Sequence, residues 1–334
     1  MVPDARVLER ASRALASLPP VNHALAYGSA VLADAVVAAA RAPALDLLLA
    51  VDDPAAWHEM NMRKNPSHYA SHVRLAGARA IGAVSRAVGV DAHYNAALAD
   101  DRGRGYKYGV IATADAVDDL RRWKYLFIAG RMHKPHVTMV ASEAVRAAQV
   151  ANVEFASRAA LLTLPETFTE LEFVRALVRL SYDGDVRFVF AAEDPQKVER
   201  IANGNVAATR SMYSGTLSEA FGEYVNASAV DGGLWRQDKS ANAMRAHIAG
   251  LPSNVLARLV VKGERFGASG RDDDFASKGD AERVASAVRQ RMREIVRVSS
   301  ARQAFAALLS TSPLKVLAYL GAKFFKSTAS RLER

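Results

Sequence analysis

The sequence contains no cysteine and no unbroken apolar stretch, and each absence limits what the protein can be. Because none of its 334 residues is a cysteine, disulfides, cysteine nucleophiles and thiolate metal sites are excluded. The most apolar region, residues 30–51, is interrupted by Asp34, Arg41, Pro43 and Asp46, so it does not qualify as a transmembrane helix. The first residues also lack a basic segment followed by an apolar one, and we therefore expect no signal peptide.

Acidic residues are fewer than basic ones, and the imbalance favours anionic partners. The chain has 35 Asp and Glu against 44 Lys and Arg, a formal net charge of +9. Such a balance suits nucleic acid, anionic lipid or phosphorylated substrates, although an ordinary basic protein can share it. With 50% hydrophobic and 24% charged residues, the composition is that of a globular protein with room for more than one domain.

Hydrophobic periodicity predicts an α/β first part. A helix over residues 4–17 precedes an apolar run at 24–27, the Gly28-Ser29 pair and a helix from residue 30 to 41. A second strand-length run over 44–51 follows. The later segments are expected to form helices over 57–87 and 114–128, with short strands around a polar loop over 88–112.

Helical patterns prevail after residue 140. Helices are predicted over residues 142–163, 169–181, 194–203, 206–228, 282–309 and 313–333, with a short strand at 188–191 and a polar loop over 262–281. We therefore predict an α/β domain over 1–140, a helical domain over 141–260 and a helical C-terminal region over 282–334.

The first functional signal is the turn Tyr27-Gly28-Ser29 between a predicted strand and helix. A glycine there lets the backbone approach a phosphate, and the N–H groups of the next helix face the anion. In the following strand, Asp46 lies among leucines, where a carboxylate is costly unless it is paired or binds a metal. Together they predict a magnesium–nucleotide site, although a turn and a strand-end aspartate also occur for structural reasons alone.

Further segments make the assignment more specific. In chain order they are Trp57-His-Glu-Met-Asn61, Asn65-Pro-Ser-His-Tyr69, Tyr106-Lys-Tyr-Gly-Val110, residues 123–135, Leu180-Ser-Tyr-Asp-Gly-Asp-Val-Arg187 and Glu193-Asp-Pro-Gln-Lys-Val198. With the Tyr-Gly-Ser turn and Asp46, they resemble the mitochondrial-type phosphatidate cytidylyltransferases, a family first named for a role in translocator assembly and maintenance. The resemblance runs from about residue 24 to 228 and is strongest at 106–135 and 180–198.

This resemblance implies a fold, a reaction and a location. It implies a nucleotidyltransferase-fold N-terminal domain, a winged-helix-like second domain and a C-terminal membrane-binding helix. The implied reaction is CTP plus phosphatidate to CDP-diacylglycerol plus pyrophosphate, with Mg²⁺ as cofactor and an anionic membrane surface as partner. Since no targeting segment is expected, we predict a bacterial member, cytoplasmic and peripheral on the inner face of the cell membrane, without a nucleic-acid partner. The oligomeric state is left open.

The resemblance also assigns roles to individual residues. Asp46 is expected to bind magnesium and Lys107 to belong to the catalytic set. Lys107, Arg131 and Lys134 are candidates to neutralise the phosphates of either substrate. The residues expected at the nucleotide are Tyr27, Gly28, Ser29, Arg131 and Lys134.

One expected carboxylate is missing from its usual place. Nucleotidyltransferases carry two carboxylates two residues apart on one strand face, but the second position here is Leu48. Asp185 is the best substitute as catalytic metal ligand and Asp183 the next, although Asp-Gly is equally typical of a hairpin turn. A phosphate nucleophile, with a second pKa of about 6, is largely ionised at neutral pH and needs no carboxylate as general base.

The C-terminal pattern over 314–326 predicts an amphipathic helix in the bilayer interface. An apolar face opposes a basic one that suits anionic headgroups. The residues predicted to contact the membrane are Leu317, Leu320, Phe324, Phe325, Lys315, Lys323 and Lys326. A helix that closes the protein's own core has the same pattern, but the lipid substrate implied by the family favours the membrane.

Two other functions remain open at this level. One is a nucleotidyltransferase of the same fold acting on another acceptor, such as an antibiotic or a tRNA end, although such enzymes usually keep the paired carboxylates. The other is a non-enzymatic winged-helix protein that binds nucleic acid. Against it, we find no basic helix rich in Arg, Asn and Gln for reading bases, and Asp46 would be unexplained.

Overall fold

The computed structural model describes residues 5–32, 43–189, 194–230, 233–261, 264–265 and 278–310. The predicted interfacial helix over 314–326 and most of the predicted helix over 30–41 lie outside these residues. No described helix is both long and apolar enough to cross a bilayer.

A five-stranded mixed sheet organises the first part of the chain. Its strand order is β3-β4-β2-β1-β5, with β2 and β4 parallel and the other neighbours antiparallel. The predicted strands over 24–27 and 44–51 are confirmed, as is the strand pair around the polar loop. The strands are β1 (His23–Tyr27), β2 (Leu45–Val51), β3 (Ala92–Ala99), β4 (Gly105–Ala112) and β5 (Val137–Val140).

The sequence of β2 explains why this strand lies at the centre of the sheet. Both of its faces are apolar, as expected of a strand that is covered on both sides. Leu47 and Leu49 are fully buried on one face, whereas Leu48 and Ala50 contribute to the core on the other. Asp46 shares the face of Leu48, because alternate residues of a strand point the same way.

Helices pack on both faces of this sheet. The predicted helix over 57–87 is wrong as a single helix. It is interrupted at the 3₁₀ turn Pro66–His68 and again at Gly77, whose φ of +84° interrupts regular helical geometry. The helices of the first part are α1 (Ala5–Ala16), α2 (Ser29–Leu32), α3 (Pro54–Lys64), α4 (Ser71–Ala76), α5 (Ala78–Ala87), α6 (Thr113–Arg122) and α7 (Ala129–Met132).

The second part is mainly helical but also contains a small antiparallel sheet of order β6-β8-β7. Its strands are β6 (Thr167–Thr169), β7 (Val225–Val230) and β8 (Leu234–Gln237), and a short pair follows as β9 (Val260–Val261) and β10 (Glu264–Arg265). Its helices are α8 (Glu143–Thr163), α9 (Glu170–Arg179), α10 (Val186–Val189), α11 (Lys197–Gly204), α12 (Val206–Phe221), α13 (Ala241–Ala249), α14 (Ser253–Leu256) and α15 (Lys278–Ser310). A mixed α/β architecture with additional helices is thereby established.

Two predicted elements of the second part differ in the structure. The helix predicted over 206–228 ends at Phe221, and β7 then pairs with β8. The strand predicted at 188–191 is wrong for its described residues, because Phe188 and Val189 belong to α10. The Asp185 carboxylate accepts the Arg187 amide at 2.9 Å, which favours a helical start at this point.

The 33-residue helix α15 joins the two parts of the chain. Val284, Val288 and Met292 enter the same apolar core as the sheet and α8. Farther along the helix, the Arg302 guanidinium donates to the Gly89 carbonyl oxygen at 2.7 Å, so α15 also contacts the end of α5. The domain limits predicted from the sequence remain a prediction.

Candidate active site

Three of the predicted site residues form one row across the sheet. Asp46 in β2 is the register partner of Tyr27 in β1 and of Lys107 in β4. Side chains paired in this way project from the same face. The Lys107 ammonium lies 3.3 Å from the Asp46 carboxylate, and both side chains keep contact with solvent, 43% and 17% exposed. The pair is therefore accessible to a ligand.

Gly28 brings the backbone close to this carboxylate. Its φ is +79°, a left-handed conformation that L side chains rarely adopt. A Cβ atom at this position would lie 2.8 Å from the Asp46 Oδ2 atom, closer than a carbon and an oxygen normally pack. Ser29 then begins α2. The turn predicted to hold phosphates thus lies directly against the predicted metal carboxylate.

Arg131 lies beside the same row, enclosed by aromatic rings. Its guanidinium carbon is 3.6 Å from the centre of the Phe127 ring, 5.4 Å from Tyr27 and 5.9 Å from Tyr94. Cation–π contacts of this kind fix a guanidinium in place. Burial raises the pKa of Tyr27 and of Tyr94, so both phenols stay neutral at physiological pH and give the Arg131 guanidinium no negative charge to pair with.

Lys134 forms a second basic position. Its ammonium donates to the Ser181 hydroxyl at 2.6 Å and to the Gly130 carbonyl oxygen, and lies 5.3 Å from the centre of the Tyr182 ring. Burial, together with the charges of Arg131 and Lys197, lowers the pKa of Lys134 well below its usual range. A phosphate bound beside Lys134 would favour its protonated form, because the negative charge would offset the repulsion from Arg131 and Lys197.

Asp119, which the sequence analysis did not single out, shapes the loop that leads to Arg131. Its buried carboxylate accepts hydrogen bonds from five consecutive amides, residues 125–129, at 2.7–3.1 Å. Within this loop Trp123 and Leu126 have positive φ values of 53° and 51°, which strains the backbone of non-glycine residues. The carboxylate therefore holds a strained loop in the shape that presents Arg131.

Asp185 is engaged differently from Asp46. It is only 5% exposed, and both carboxylate oxygens accept hydrogen bonds from the Arg187 guanidinium. Burial alone would raise its pKa, but the bonds from Arg187 and the charge of Lys197 hold the pKa of Asp185 below its usual value. Asp185 is thus an ionised carboxylate near Lys197, which in turn neighbours Lys134. Its role as second metal ligand remains a prediction.

Leu48 stands two residues after Asp46, where the sequence analysis noted that a second carboxylate is missing. Leu48 is 2% exposed and belongs to the apolar core. Its register partner Gly109 lies under the Tyr94 ring, whose Cζ would be 2.5 Å from a Cβ at Gly109. A carboxylate at position 48 would be buried beside this ring, where a charge is costly.

The donors around Asp46 are compatible with a magnesium ion bound together with a nucleotide. Within the described residues, no three His, Asp or Glu side chains are gathered closely enough to form a protein-only metal site. Magnesium is commonly held by one or two carboxylates, water and the phosphates of its substrate. Asp46 fits this role, since its carboxylate is partly exposed and meets a turn without side-chain bulk.

Taken together, the row across the sheet, the glycine turn and the surrounding cations indicate a class of protein: an α/β protein with a site suited to phosphate groups next to a carboxylate. Sequence comparison narrows this class. The family model described as mitochondrial phosphatidate cytidylyltransferase matches residues 11–326, and the chain belongs to this family.

Individual relatives agree with the family match. The mitochondrial phosphatidate cytidylyltransferase of Xenopus laevis is 31% identical over 93% of this chain and 91% of its own length. The Danio rerio protein of the same name is 33% identical over 84% of this chain and 82% of its own. The Mus musculus protein is 41% identical over 62% of each chain, so the matched region spans about three fifths of that relative.

Replacing Gly28 with alanine tests the close approach of the turn to Asp46. We expect the turnover of the reaction proposed below to fall at least tenfold in this variant, because the new methyl group would displace the Asp46 carboxylate. We also expect about 1–2 kcal/mol lower stability from the positive φ. Gly82→Ala in α5 is the matched control: among the described residues, no atom beyond the adjoining backbone of its own helix lies within 4 Å of its Cβ position, and alanine there should leave turnover unchanged and raise stability by up to about 1 kcal/mol. Wild-type turnover in Gly28→Ala, with stability followed by urea denaturation, would contradict the assignment.

Proposed function

We propose that the protein is a phosphatidate cytidylyltransferase, which forms CDP-diacylglycerol and pyrophosphate from CTP and phosphatidate. The observation that carries the proposal is the contact of the Gly28 turn with the Asp46–Lys107 pair, since it combines a phosphate-binding backbone with a carboxylate and a cation. Family membership supports the same reaction. Transfer of a nucleotidyl group depends mainly on positioning and charge neutralisation, and the arrangement supplies both.

In the proposed reaction, a phosphate oxygen of phosphatidate attacks the α-phosphorus of CTP. A new P–O bond forms, and the bond to the pyrophosphate leaving group breaks. Since the attacking phosphate is already ionised, this chain needs no residue to remove a proton from it. Lys107, Arg131 and Lys134 bind the phosphate groups and neutralise their charge, while the backbone at Gly28 and the Ser29 hydroxyl position the triphosphate.

The cofactor of this proposal is Mg²⁺, held by Asp46 and, as second ligand, Asp185. When bound, it would neutralise charge on the triphosphate and help to orient it. The ion pair of Asp46 with Lys107 is compatible with this role. A carboxylate that already has one cationic partner can exchange or share that partner when a metal and a nucleotide enter.

The finer architecture is also part of the proposal. We propose that the five-stranded part is a nucleotidyltransferase fold and that the small three-stranded sheet with its helices is a winged-helix-like domain. Residues 314–326 would bind an anionic membrane through the interfacial helix predicted above. The proposed location is the cytoplasmic face of a bacterial cell membrane, where phosphatidate is available.

The test is pyrophosphate release by the purified protein with Mg²⁺, CTP and vesicles that contain phosphatidate. We expect release only when CTP and phosphatidate are both present, and the lipid product should carry cytidine diphosphate. Release from CTP with a different acceptor would favour a nucleotidyltransferase of another specificity. DNA binding that disappears at modest salt, without CTP turnover, would favour the nucleic-acid-binding alternative.

A further inference from the structure

A cavity lined by residues other than those around Asp46 lies between α9, α15 and the end of α8. Its volume is about 210 Å³, and three arginines and two carboxylates line it over an apolar floor. Arg175 and Arg179 come from α9, and Arg289 comes from α15. The floor contains Leu164, Ala176, Leu180 and Met292.

Two of the arginines around the cavity have N–H groups that can donate to an anion. Arg175 is engaged by Glu199 at 2.8 Å, but Arg179 is 3.7 Å from the same carboxylate and its side chain is 55% exposed. Arg289, also exposed, donates one N–H to the Thr163 carbonyl oxygen at 3.1 Å. Each guanidinium has five N–H donors, so Arg179 and Arg289 can each offer several to a ligand between them.

The volume decides which ligands fit. A water molecule occupies about 30 Å³ of the liquid, so the cavity holds several waters or one small anion. Sites for drug-sized ligands measure about 300–1,000 Å³, so the cavity is too small to enclose a whole nucleoside triphosphate. A phosphate group with a short stem is of the right size, and paired guanidiniums bind phosphate in a bidentate manner.

The cavity shares a wall with the proposed active site. Leu180 and Asp183 line the cavity, whereas Ser181 and Tyr182, between them, contact Lys134. The amides of Tyr182 and Asp183 both donate to the carbonyl oxygen of Arg179, at 3.1 and 2.9 Å. A ligand that moves Arg179 would therefore also move the backbone of Ser181 and Tyr182, the two residues that contact Lys134.

Residues 181–184 also pack tightly against α15. Gly184 has a φ of +93°, and its α-carbon packs so tightly on the backbone of Arg293 that a Cβ there would clash with the Arg293 carbonyl oxygen. A shift of α15 on binding at Arg289 would hence be transmitted to the segment as well.

We propose that this cavity is a second anion site, which binds a phosphate group of headgroup size through Arg179 and Arg289 and adjusts the active site through residues 181–184. The phosphate comes from a lipid headgroup or from a free phosphate. Binding in the cavity is independent of the reaction proposed above, and only the effect on turnover rests on it.

The test measures binding of two probes to the full chain by calorimetry: inorganic phosphate and dihexanoyl phosphatidylglycerol below its micelle concentration. In the double variant Arg179→Gln/Arg289→Gln, we expect affinity to fall at least tenfold. If this variant loses affinity for both probes, the cavity recognises the phosphate alone. If it loses affinity for the lipid but not for inorganic phosphate, the cavity recognises a lipid headgroup. The matched control is Arg146→Gln/Arg297→Gln, which removes the same charge from exposed arginines outside the cavity.

Two results would overturn the site: no binding of either probe to the wild type, or an equal loss of affinity in both double variants.

A separate measurement tests the coupling of the cavity to the active site. The bound probe should change wild-type turnover about twofold or more and leave the Arg179→Gln/Arg289→Gln variant unaffected. An equal response in both proteins would refute the coupling. Absence of turnover in every protein would count against the proposed function, whereas the binding result would stand.

Discussion

Asp46→Ala is expected to lower the rate of pyrophosphate release from CTP and phosphatidate by about a thousandfold, or ~4 kcal/mol of transition-state stabilisation. The variant removes the carboxylate proposed to hold magnesium and also leaves Lys107 without its 3.3 Å partner. Stability should change little, because the side chain is partly exposed and its ion pair with Lys107 is open to solvent. Initial rates over a range of magnesium concentrations measure the effect.

The control for this experiment is Asp52→Ala. Asp52 directly follows β2 and is exposed, and its carboxylate accepts a hydrogen bond from the Asn22 side chain at 3.1 Å. It should retain at least half of the wild-type rate. A rate in Asp46→Ala within tenfold of the wild type would show that the magnesium carboxylate lies elsewhere, and Asp185→Ala would then be the next variant to assay.

Asp119→Ala is expected to cost about 4 kcal/mol or more of folding stability. Five amides, four of them buried, would lose their common acceptor, and each unsatisfied buried group costs about 1–3 kcal/mol before water or rearrangement relieves it. The strained residues Trp123 and Leu126 would also lose their support. A loss of this size is a large share of the roughly 5–15 kcal/mol that stabilises a typical domain. The midpoint and slope of urea denaturation give the value.

The neighbouring residue provides the comparison. Asp118 lies on the same helix and its carboxylate contacts Arg122 on the surface at 3.3 Å, so Asp118→Ala should cost less than about 1 kcal/mol. If Asp119→Ala proved no less stable than Asp118→Ala, the loop would be held by other contacts. If Asp119→Ala folds in part, its remaining activity should fall because Arg131 is no longer presented.

Local pattern was enough to predict much of the first part of the fold. Strands β1 and β2 are short apolar runs bounded by turn residues, and these signals lie within a few positions of each strand. Strand β7 was missed because its pairing with β8 depends on residues farther along the chain, while its sequence continues the pattern of α12. The break between α3 and α5 depends on Pro66 and Gly77, whose effect the helical periodicity concealed.

In the candidate site, too, the features set by neighbouring residues could be predicted and those set by distant residues could not. Gly28 and Asp46 could be singled out because each is unusual among its immediate neighbours. The aromatic enclosure of Arg131 could not, since Tyr94 and Phe127 come from separate elements and meet only in the folded chain. Asp119 gave no signal either, because an aspartate on an amphipathic helix normally faces water, and only the loop after α6 turns it into an acceptor for five amides.

The position of α15 in the chain has a consequence for how the protein folds during synthesis. This helix lies C-terminal to every other described element, yet Val284, Val288 and Met292 help to complete the central core. Translation proceeds at about 5–20 residues per second, so the preceding elements leave the ribosome seconds before the helix that covers them. Their apolar surface is exposed throughout that interval, and the nascent chain is therefore a natural substrate for chaperones until α15 has emerged.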